Sequence, residues 1–600
     1  MYIISLWDLS SYLSYYDMIS PFGQQDHFPI SVSKDMIFEK GVRHMDRMDV
    51  WGQGAIFAFS GLEGKTDYFS QLIGFLSGDR PGIRFIAPAR FEVSMDTTGV
   101  SDLTWEIVAS DIVLGKVLIG DERKRFCVAF KSNATLVGLC PEGRLRLVFD
   151  QGKADDNVTL TTSRSGEDCF FCLSLEGDTG CDPDEVEAVI LKRSAFFDRF
   201  DISDLEENVG KTYLHALSVM KSQVYAPQGI FRHYWTTPDR YPHGKLWLWD
   251  SCFHSLGNHV ISDGLAKDTI LSLFDVQMPD GMIPHASSVD WHSAITQPPL
   301  IAWSVEEIVR RTGDTAFAAQ CYDGLEKYLK WDMDHRRTPS GLFFWHINRD
   351  MANNRCDESG MDNCSRFDDV EEMECIDFSC FMKREADAMS FLAQTLQRDE
   401  DAKQWAAYAQ ELKRLINERL WDETDRMYYD FEVKTQALHR FRSICSFMPL
   451  FAGVCSESQK NALTASLRDP KGFKAAFPIP SISASEKSFG TDMWCGPVWI
   501  NYVYLIAEGL YRCGEKELAD EIVRDTVRGI ARVFMNDGVF YEYYDSRCLI
   551  SPPRLRRKGA PVSPYIGSRR ITQTIRDYGW TATLYAALVH EHPDLFPSGA

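Results

Sequence analysis

No run of about twenty apolar residues occurs anywhere in the chain, so no membrane span is expected. The first seventeen residues (MYIISLWDLSSYLSYYD) have no basic start, no unbroken apolar stretch and no small-residue cleavage site. No secretory signal is expected from them, and a cytoplasmic protein is. The sixteen Cys are scattered without a small-domain framework, and outside a secretory setting they are expected to be free thiols. Cys169 and Cys172 form a CxxC with no second pair nearby, which is poor ground for a zinc or redox site. The acceptor patterns at Asn133, Asn157 and Asn363 carry no weight without secretion. Basic charge is also scarce: 64 Lys and Arg stand against 86 Asp and Glu, a formal net charge of −22. An acidic surface repels phosphate backbones, so nucleic acid is not an expected partner. The one basic cluster, Arg554–Lys558 (RLRRK), lies in a Pro-rich stretch and reads as a solvated loop. Cofactor motifs are missing too. Gly61–Thr66 (GLEGKT) ends like a phosphate-binding loop, but Phe59 stands where its first glycine belongs. No HExxH, GxSxG, dinucleotide fingerprint or EF-hand loop is present, so neither a cofactor nor a bound metal is expected.

The chain has 600 residues, 44% of them apolar and 25% charged, enough for a sizeable core and more than one domain. Residues 1–194 read as a β-sandwich-like domain. Short runs rich in Val, Ile and Phe recur there between turns: Ala55–Ser60, Ile83–Ala87, Leu103–Ala109, Arg125–Phe130, Arg144–Phe149 and Ala188–Lys192. From 195 to 600 the period changes. Trp405, Tyr408, Leu412, Ile416 and Leu420 are spaced by three and four, as on an amphipathic helix, and Leu518–Phe534 repeats the pattern. Similar spacing predicts helices over Val209–Val224, Ser251–Val260, Ala266–Val276, Ala302–Arg311, Thr315–Trp331, Ile376–Leu396, Ser443–Phe451, Ser458–Leu467, Val498–Tyr511 and Gly579–Val589. A solenoid would repeat at a fixed period, and none is found. The long loops Met278–Ile301, Pro339–Cys375, Phe477–Gly496 and Val539–Asp577 fit a ring of helical hairpins whose loops gather on one face.

Those loops hold the chemistry. Tyr241–His254 (YPHGKLWLWDSCFH) brings together Trp247, Trp249, Asp250 and His254. Trp faces stack on sugar rings, and a carboxylate can grip paired hydroxyls; Asp250 could equally cap the following helix. Gly281–Pro284 (GMIP) and Gln297–Pro299 (QPP) are turns in which Gln297 could bind a hydroxyl. Glu358–Phe367 (ESGMDNCSRF) crowds Glu358, Asp362, Asn363 and Arg366 behind the turn-forming Gly360. It reads either as a site for a general acid or as an Asx-turn with a surface ion pair. Phe489–Asn501 (FGTDMWCGPVWIN) sets Trp494 and Trp499 around a Gly-Pro turn. In Val539–Asp545 (VFYEYYD), Glu542 sits among aromatics, either facing solvent or placed in a site.

WLWDSCFH, GMIPH, ESGMDN, WCGPVWIN, YEYYD and the late Tyr578–Thr581 (YGWT), in that order, resemble glycoside hydrolase family 63 and its relatives across about residues 205–595. The resemblance implies a mainly α fold, an (α/α)6 toroid behind the N-terminal β-sandwich, and hydrolysis of an α-glucosidic or α-mannosidic bond in a small carbohydrate substrate with inversion. It places Asp362 as general acid and Glu542 as general base. It also places Trp249, Asp250, Trp494 and Trp499 at the sugar, to which Trp247, His254, Gln297 and Arg366 are added as candidate binding residues. Pro552–Arg570 replaces a shorter link found in many relatives. Two other functions use the same residues: a sugar epimerase working through His254, His285 or His346, and a non-catalytic carbohydrate-binding protein.

Overall fold

The computed structural model describes residues 55–76, 81–149, 158–241, 243–348, 355–558 and 574–599. The N-terminal segment read for a leader, the Asn157 acceptor and residues 559–570 of the Pro552–Arg570 stretch lie outside them. Contacts divide the chain into two compact units, Met1–Arg199 and Phe200–Ala600.

In the first unit eleven strands are described. They are β1 (Ile56–Ala58), β2 (Ile73–Leu76), β3 (Gly82–Ala87), β4 (Phe91–Met95), β5 (Val100–Val108), β6 (Ile112–Ile119), β7 (Glu122–Ser132), β8 (Thr135–Pro141), β9 (Leu145–Phe149), β10 (Thr159–Ser165) and β11 (Asp168–Ser174). Two sheets result, in the orders β1-β2-β3-β4-β9 and β10-β11-β8-β7-β6-β5. Alternation decides which side chains go inward: in β9 Leu145, Leu147 and Phe149 are buried and Arg146 and Val148 are not. One apolar cluster joins Phe57, Phe85 and Phe91 of the first sheet to Val128, Phe130 and Phe171 of the second. Cys169 and Cys172 lie three apart on β11, and so point to opposite faces and cannot clamp one ion.

One expected strand is a helix. Ala188–Lys192 belongs to the helix Pro183–Ser194, which covers the outer face of the six-stranded sheet through Val186 and Ile190. The local signals are all present. Asp182 caps the first turn, Pro183 opens it, Asp184 and Glu185 sit at the positive end, and Lys192 and Arg193 at the negative end.

The second unit is helical, with a helix at each place where the period predicts one. Ser443–Phe451 is split into a 3-10 turn, Ile444–Phe447, and a short helix, Met448–Ala452, with Pro449 in its first turn. Six helices, Leu248–Asn258, Ile301–Thr312, Ile376–Thr395, Met448–Ala452, Ile500–Arg512 and Gly579–Glu591, each pack on the next, and the last packs on the first. They are buried nearly all round, the mark of interior helices. Amphipathic helices such as Asp263–Asp275, Asp399–Leu420 and Lys516–Asp537 pack against them with one face to water. No helix among the described residues is long and apolar enough to cross a membrane.

Candidate active site

The loop holding Asp362 is fixed at three points. Gly360 has φ of 70°, and a Cβ there would stand 2.3 Å from Trp249 Cζ2, so only glycine lets the loop lie on the indole. Glu358 is buried and accepts both Nε (2.9 Å) and Nη2 (2.5 Å) of Arg336, and the backbone N–H of His346 at 3.0 Å. Asn363 donates to Asp492 Oδ1 at 2.9 Å and accepts the backbone N–H of Trp494 at 3.1 Å. Asp362 and Asn363 are half-buried, whereas Glu358 and Arg366 are buried. Asp362 Oδ2 meets Lys558 Nζ at 2.7 Å.

Glu542 lies on an extended stretch. Tyr544 exchanges both backbone hydrogen bonds with Val498 on one side, and Glu542 itself donates to Ile575 O at 3.0 Å on the other. Tyr541 O–H turns to Asp537 and Tyr543 O–H to the Arg556 carbonyl. Glu542 points inward and is 2% exposed, which removes the solvent-facing reading. Arg557 donates Nε to Oε2 at 3.1 Å and Nη2 to Oε1 at 3.2 Å, a bidentate pair that satisfies the buried charge. Glu542 and Asp362 both act on the Arg557 guanidinium and raise its basicity. Asp362 also acts on His285, together with Lys245 and Lys558. The two carboxylates thus share one electrostatic neighbourhood, although 180 residues separate them along the chain.

Aromatic rings form the adjoining wall. Trp494 and Trp499 stack at 3.8 Å, Trp499 lies 4.8 Å from Tyr543, and Trp249 contacts Trp580 at 5.4 Å. The indole N–H groups of Trp247, Trp494 and Trp580 are buried with no hydrogen-bond partner among the described residues, as is His254 Nε2. His254 Nδ1 pairs with Thr236 Oγ1 at 2.9 Å, and burial pushes this imidazole down to about 3. Burial does the same to His285, which packs edge-on to Trp247. Gln297 Oε1 accepts the Trp249 backbone N–H at 3.3 Å. Asp250 is not the N-cap of its helix, which is Trp247, but stands in the first turn. Its carboxyl is pushed well above the usual range by burial, with Asp239 and Glu542 adding repulsion, and it accepts a long 3.5 Å bond from Tyr578 O–H.

Two sequence expectations are corrected here. Arg366 is fully buried, donates to Asp377 at 2.6 Å and lies 3.6 Å from Asp430, so it anchors the interior and does not face a ligand. The same guanidinium occupies the one grouping among the described residues with metal-like spacing, Cys375, Asp377 and Asp430. The basic cluster Arg554–Lys558 is not simply solvated: Arg557 is buried on Glu542 and Lys558 rests on Asp362. Single cations in a Pro-rich stretch have no period, so nothing in the sequence set these two apart from their neighbours. Tyr578 and Lys245 were also missed; burial brings Lys245 down to about 8, and its ammonium lies 3.7 Å above the Trp291 ring.

Residues 241–547, just over half of the chain, match the family model of the mannosylglycerate hydrolase MGH1-like glycoside hydrolase domain. A mannosylglycerate hydrolase of Thermus thermophilus is 25% identical over 388 residues, covering 50% of this chain and 88% of that protein. An uncharacterized protein of Borreliella burgdorferi is 25% identical over 225 residues, 37% of this chain and 45% of its own length. The crystal structure of a GH63 mannosylglycerate hydrolase from Thermus thermophilus with glucose superposes with a TM-score of 0.50 at 23% identity, over 62% of this chain and 98% of that one.

Proposed function

The chain belongs to glycoside hydrolase family 63, and on that premise we propose that Asp362 and Glu542 are the acid and base of an inverting hydrolysis of a small α-linked glycoside. One observation carries the assignment: consecutive residues, Arg557 and Lys558, bind the two carboxylates, one each. Protonated Asp362 gives its proton to the glycosidic oxygen. Ionised Glu542 takes a proton from the water that attacks the anomeric carbon on the opposite face. Inversion in this way needs the carboxyl groups roughly 6.5–9.5 Å apart, leaving room for that water.

The buried, unpartnered indole N–H groups of Trp247, Trp494 and Trp580 and the unpartnered Nε2 of His254 support sugar binding at this wall. Buried polar groups in native proteins almost always find a partner, and ring hydroxyls are suited to these. Asp250 and Gln297 complete the proposed glycone contacts. The glycone is glucose or mannose, and the likeness to a mannosylglycerate hydrolase favours a small polar aglycone such as glycerate. The cycle of six contacting helices supports an (α/α)6 toroid over 195–600, which follows a β-sandwich-like domain in 1–194 along the chain. Sixteen free thiols favour a reducing, cytoplasmic setting. Epimerisation would need an imidazole able to take a proton near neutrality; burial pushes His254 and His285 down to about 3, which leaves the exposed His346 alone of the three for that chemistry.

The test is a panel of α-linked disaccharides with mannosylglycerate and glucosylglycerate, the product anomer followed by NMR. A β-sugar as first product, lost in Asp362→Asn and in Glu542→Gln, supports the reading. An α-sugar as first product overturns it.

A further inference from the structure

The segment that carries Arg557 and Lys558 is tied to both halves of the site. The Arg556 N–H donates to the Thr491 carbonyl at 3.0 Å, and its carbonyl accepts the Met493 N–H at 3.2 Å and Tyr543 O–H at 2.6 Å. Tyr543 is the neighbour of Glu542. Asp492, inside the paired stretch, accepts from Asn363, the neighbour of Asp362. A shift of this segment therefore reaches both carboxylates. Lys558 has φ of 55°, a left-handed conformation that residues with a side chain rarely adopt. This turn separates the courses of two adjacent side chains, one to Glu542 and the next to Asp362.

The two carboxylates have opposite tasks, and the two cations differ accordingly. A base must stay ionised and keep one orientation. A planar guanidinium bonded to both its oxygens enforces this, and Arg does not lose its proton. An acid must carry a proton at bond cleavage and then meet the leaving oxygen. An ammonium on a flexible stem is a compact point charge that fixes no plane and can swing away. Arg557 is buried, whereas the Lys558 side chain is 20% exposed.

We propose that Arg557 and Lys558 are positioning residues. Arg557 holds the plane of the Glu542 carboxylate throughout the cycle, and Lys558 holds Asp362 in place until the glycosidic oxygen takes over the ammonium's position, Asp362 taking up from solvent, as the ammonium leaves, the proton it then donates. The inference rests on the acid and base assignment above.

The test compares Arg557→Gln, Arg557→Lys, Lys558→Met and Lys558→Arg on two substrates with the same glycone, a disaccharide and its 4-nitrophenyl counterpart. Nitrophenolate departs with little help from an acid, while both substrates need the base. Arg557→Gln is expected to lower kcat about 100-fold on both with KM little changed, the size of a general-base contribution. Arg557→Lys, lacking the fork, recovers little of it. Lys558→Met is expected to lose about tenfold more kcat on the disaccharide than on the nitrophenyl glycoside, a part of the general-acid contribution. Lys558→Arg restores most of that difference. A merely structural role would not sort substrates by leaving group. Thermal melts accompany each variant, because Arg557→Gln strands a buried carboxylate; if it fails to fold, Arg557→Lys and the Lys558 pair still decide. Equal loss on both substrates in Lys558→Met, or kcat within threefold of wild type in folded Arg557 variants, overturns the proposal. Activity surviving in Asp362→Asn and Glu542→Gln would instead overturn the acid and base assignment itself.

Discussion

Replacing Gly360 by Ala should separate site geometry from stability. The φ of 70° costs an alanine roughly 1–2 kcal/mol. The added Cβ would lie 2.3, 2.6 and 2.8 Å from three atoms of the Trp249 ring, where ordinary contact begins near 3.4 Å. Relief requires a movement of about 1 Å, and overpacking of this kind typically costs another 1–3 kcal/mol. Trp249 is held by Phe253, Trp494 and Trp580, so the loop gives way and takes Asp362, two residues on, with it. A misplacement of about 1 Å at a reacting group costs on the order of 100-fold in rate. Gly313→Ala is the control. It closes the helix Ile301–Thr312 at φ of 68° with nothing within 4 Å of the new Cβ, so it carries the strain without the clash. Both variants should lose stability in urea unfolding, Gly360→Ala more so. Only Gly360→Ala should lose kcat. If its kcat stays within threefold of wild type, the packing of Trp249 on this loop does not set the position of Asp362.

Other expectations concern stability. Arg366→Met leaves the buried Asp377 and Asp430 without their cation, and breaking such a network typically costs about 3–5 kcal/mol; a chemical-denaturation midpoint at wild-type level would show the pairing to be inconsequential. Asp182→Ala removes the cap of Pro183–Ser194 and should cost about 1 kcal/mol, read as a lower melting temperature with unchanged turnover. Glu385 receives the N–H groups of Ala302 and Trp303 at the start of Ile301–Thr312, yet burial raises it from 4.5 to about 7. The folded state therefore binds this proton more tightly than the unfolded state. Its contribution is full below about pH 4.5 and lost as pH rises through 7. Measured from pH 5 to 8, the unfolding free energy of Glu385→Gln should gain on wild type by on the order of 1–3 kcal/mol, and a constant difference would refute the shift.

The helical period located the second unit well because interior helices and their amphipathic partners repeat apolar residues every three or four positions over several turns. Short elements escaped it. Ala188–Lys192 offered five residues of which four were apolar or β-branched, enough to look like a strand when read alone. The cap at Asp182, Pro183 in the first turn and the charge order along the helix were equally visible. They outweigh a five-residue run because each stabilises only a helix starting there, whereas an apolar run serves any buried element.

The site divides along a similar line. Glycine, carboxylate and tryptophan in fixed order mark which loops meet, but orientation is a tertiary matter. Trp494 and Trp499 were legible as aromatics; that they stack on each other follows from the turn at Gly496, whose φ of 123° and close approach to Gly490 leave no room for a side chain. Arg366 looked like a ligand contact because it stands four residues from Asp362, yet the loop turns it inward to Asp377. Burial of that charge is tolerable only because two carboxylates from elsewhere in the chain arrive to meet it. The same rule works in reverse at Glu542. A buried, extended stretch carrying a carboxylate requires a cation; Arg547 stands nearest along the chain but pairs with Asp545, and Arg557, fifteen residues on, meets Glu542. The need for a cation follows from burial, but which arginine supplies it is decided by the tertiary fold and not by distance along the chain.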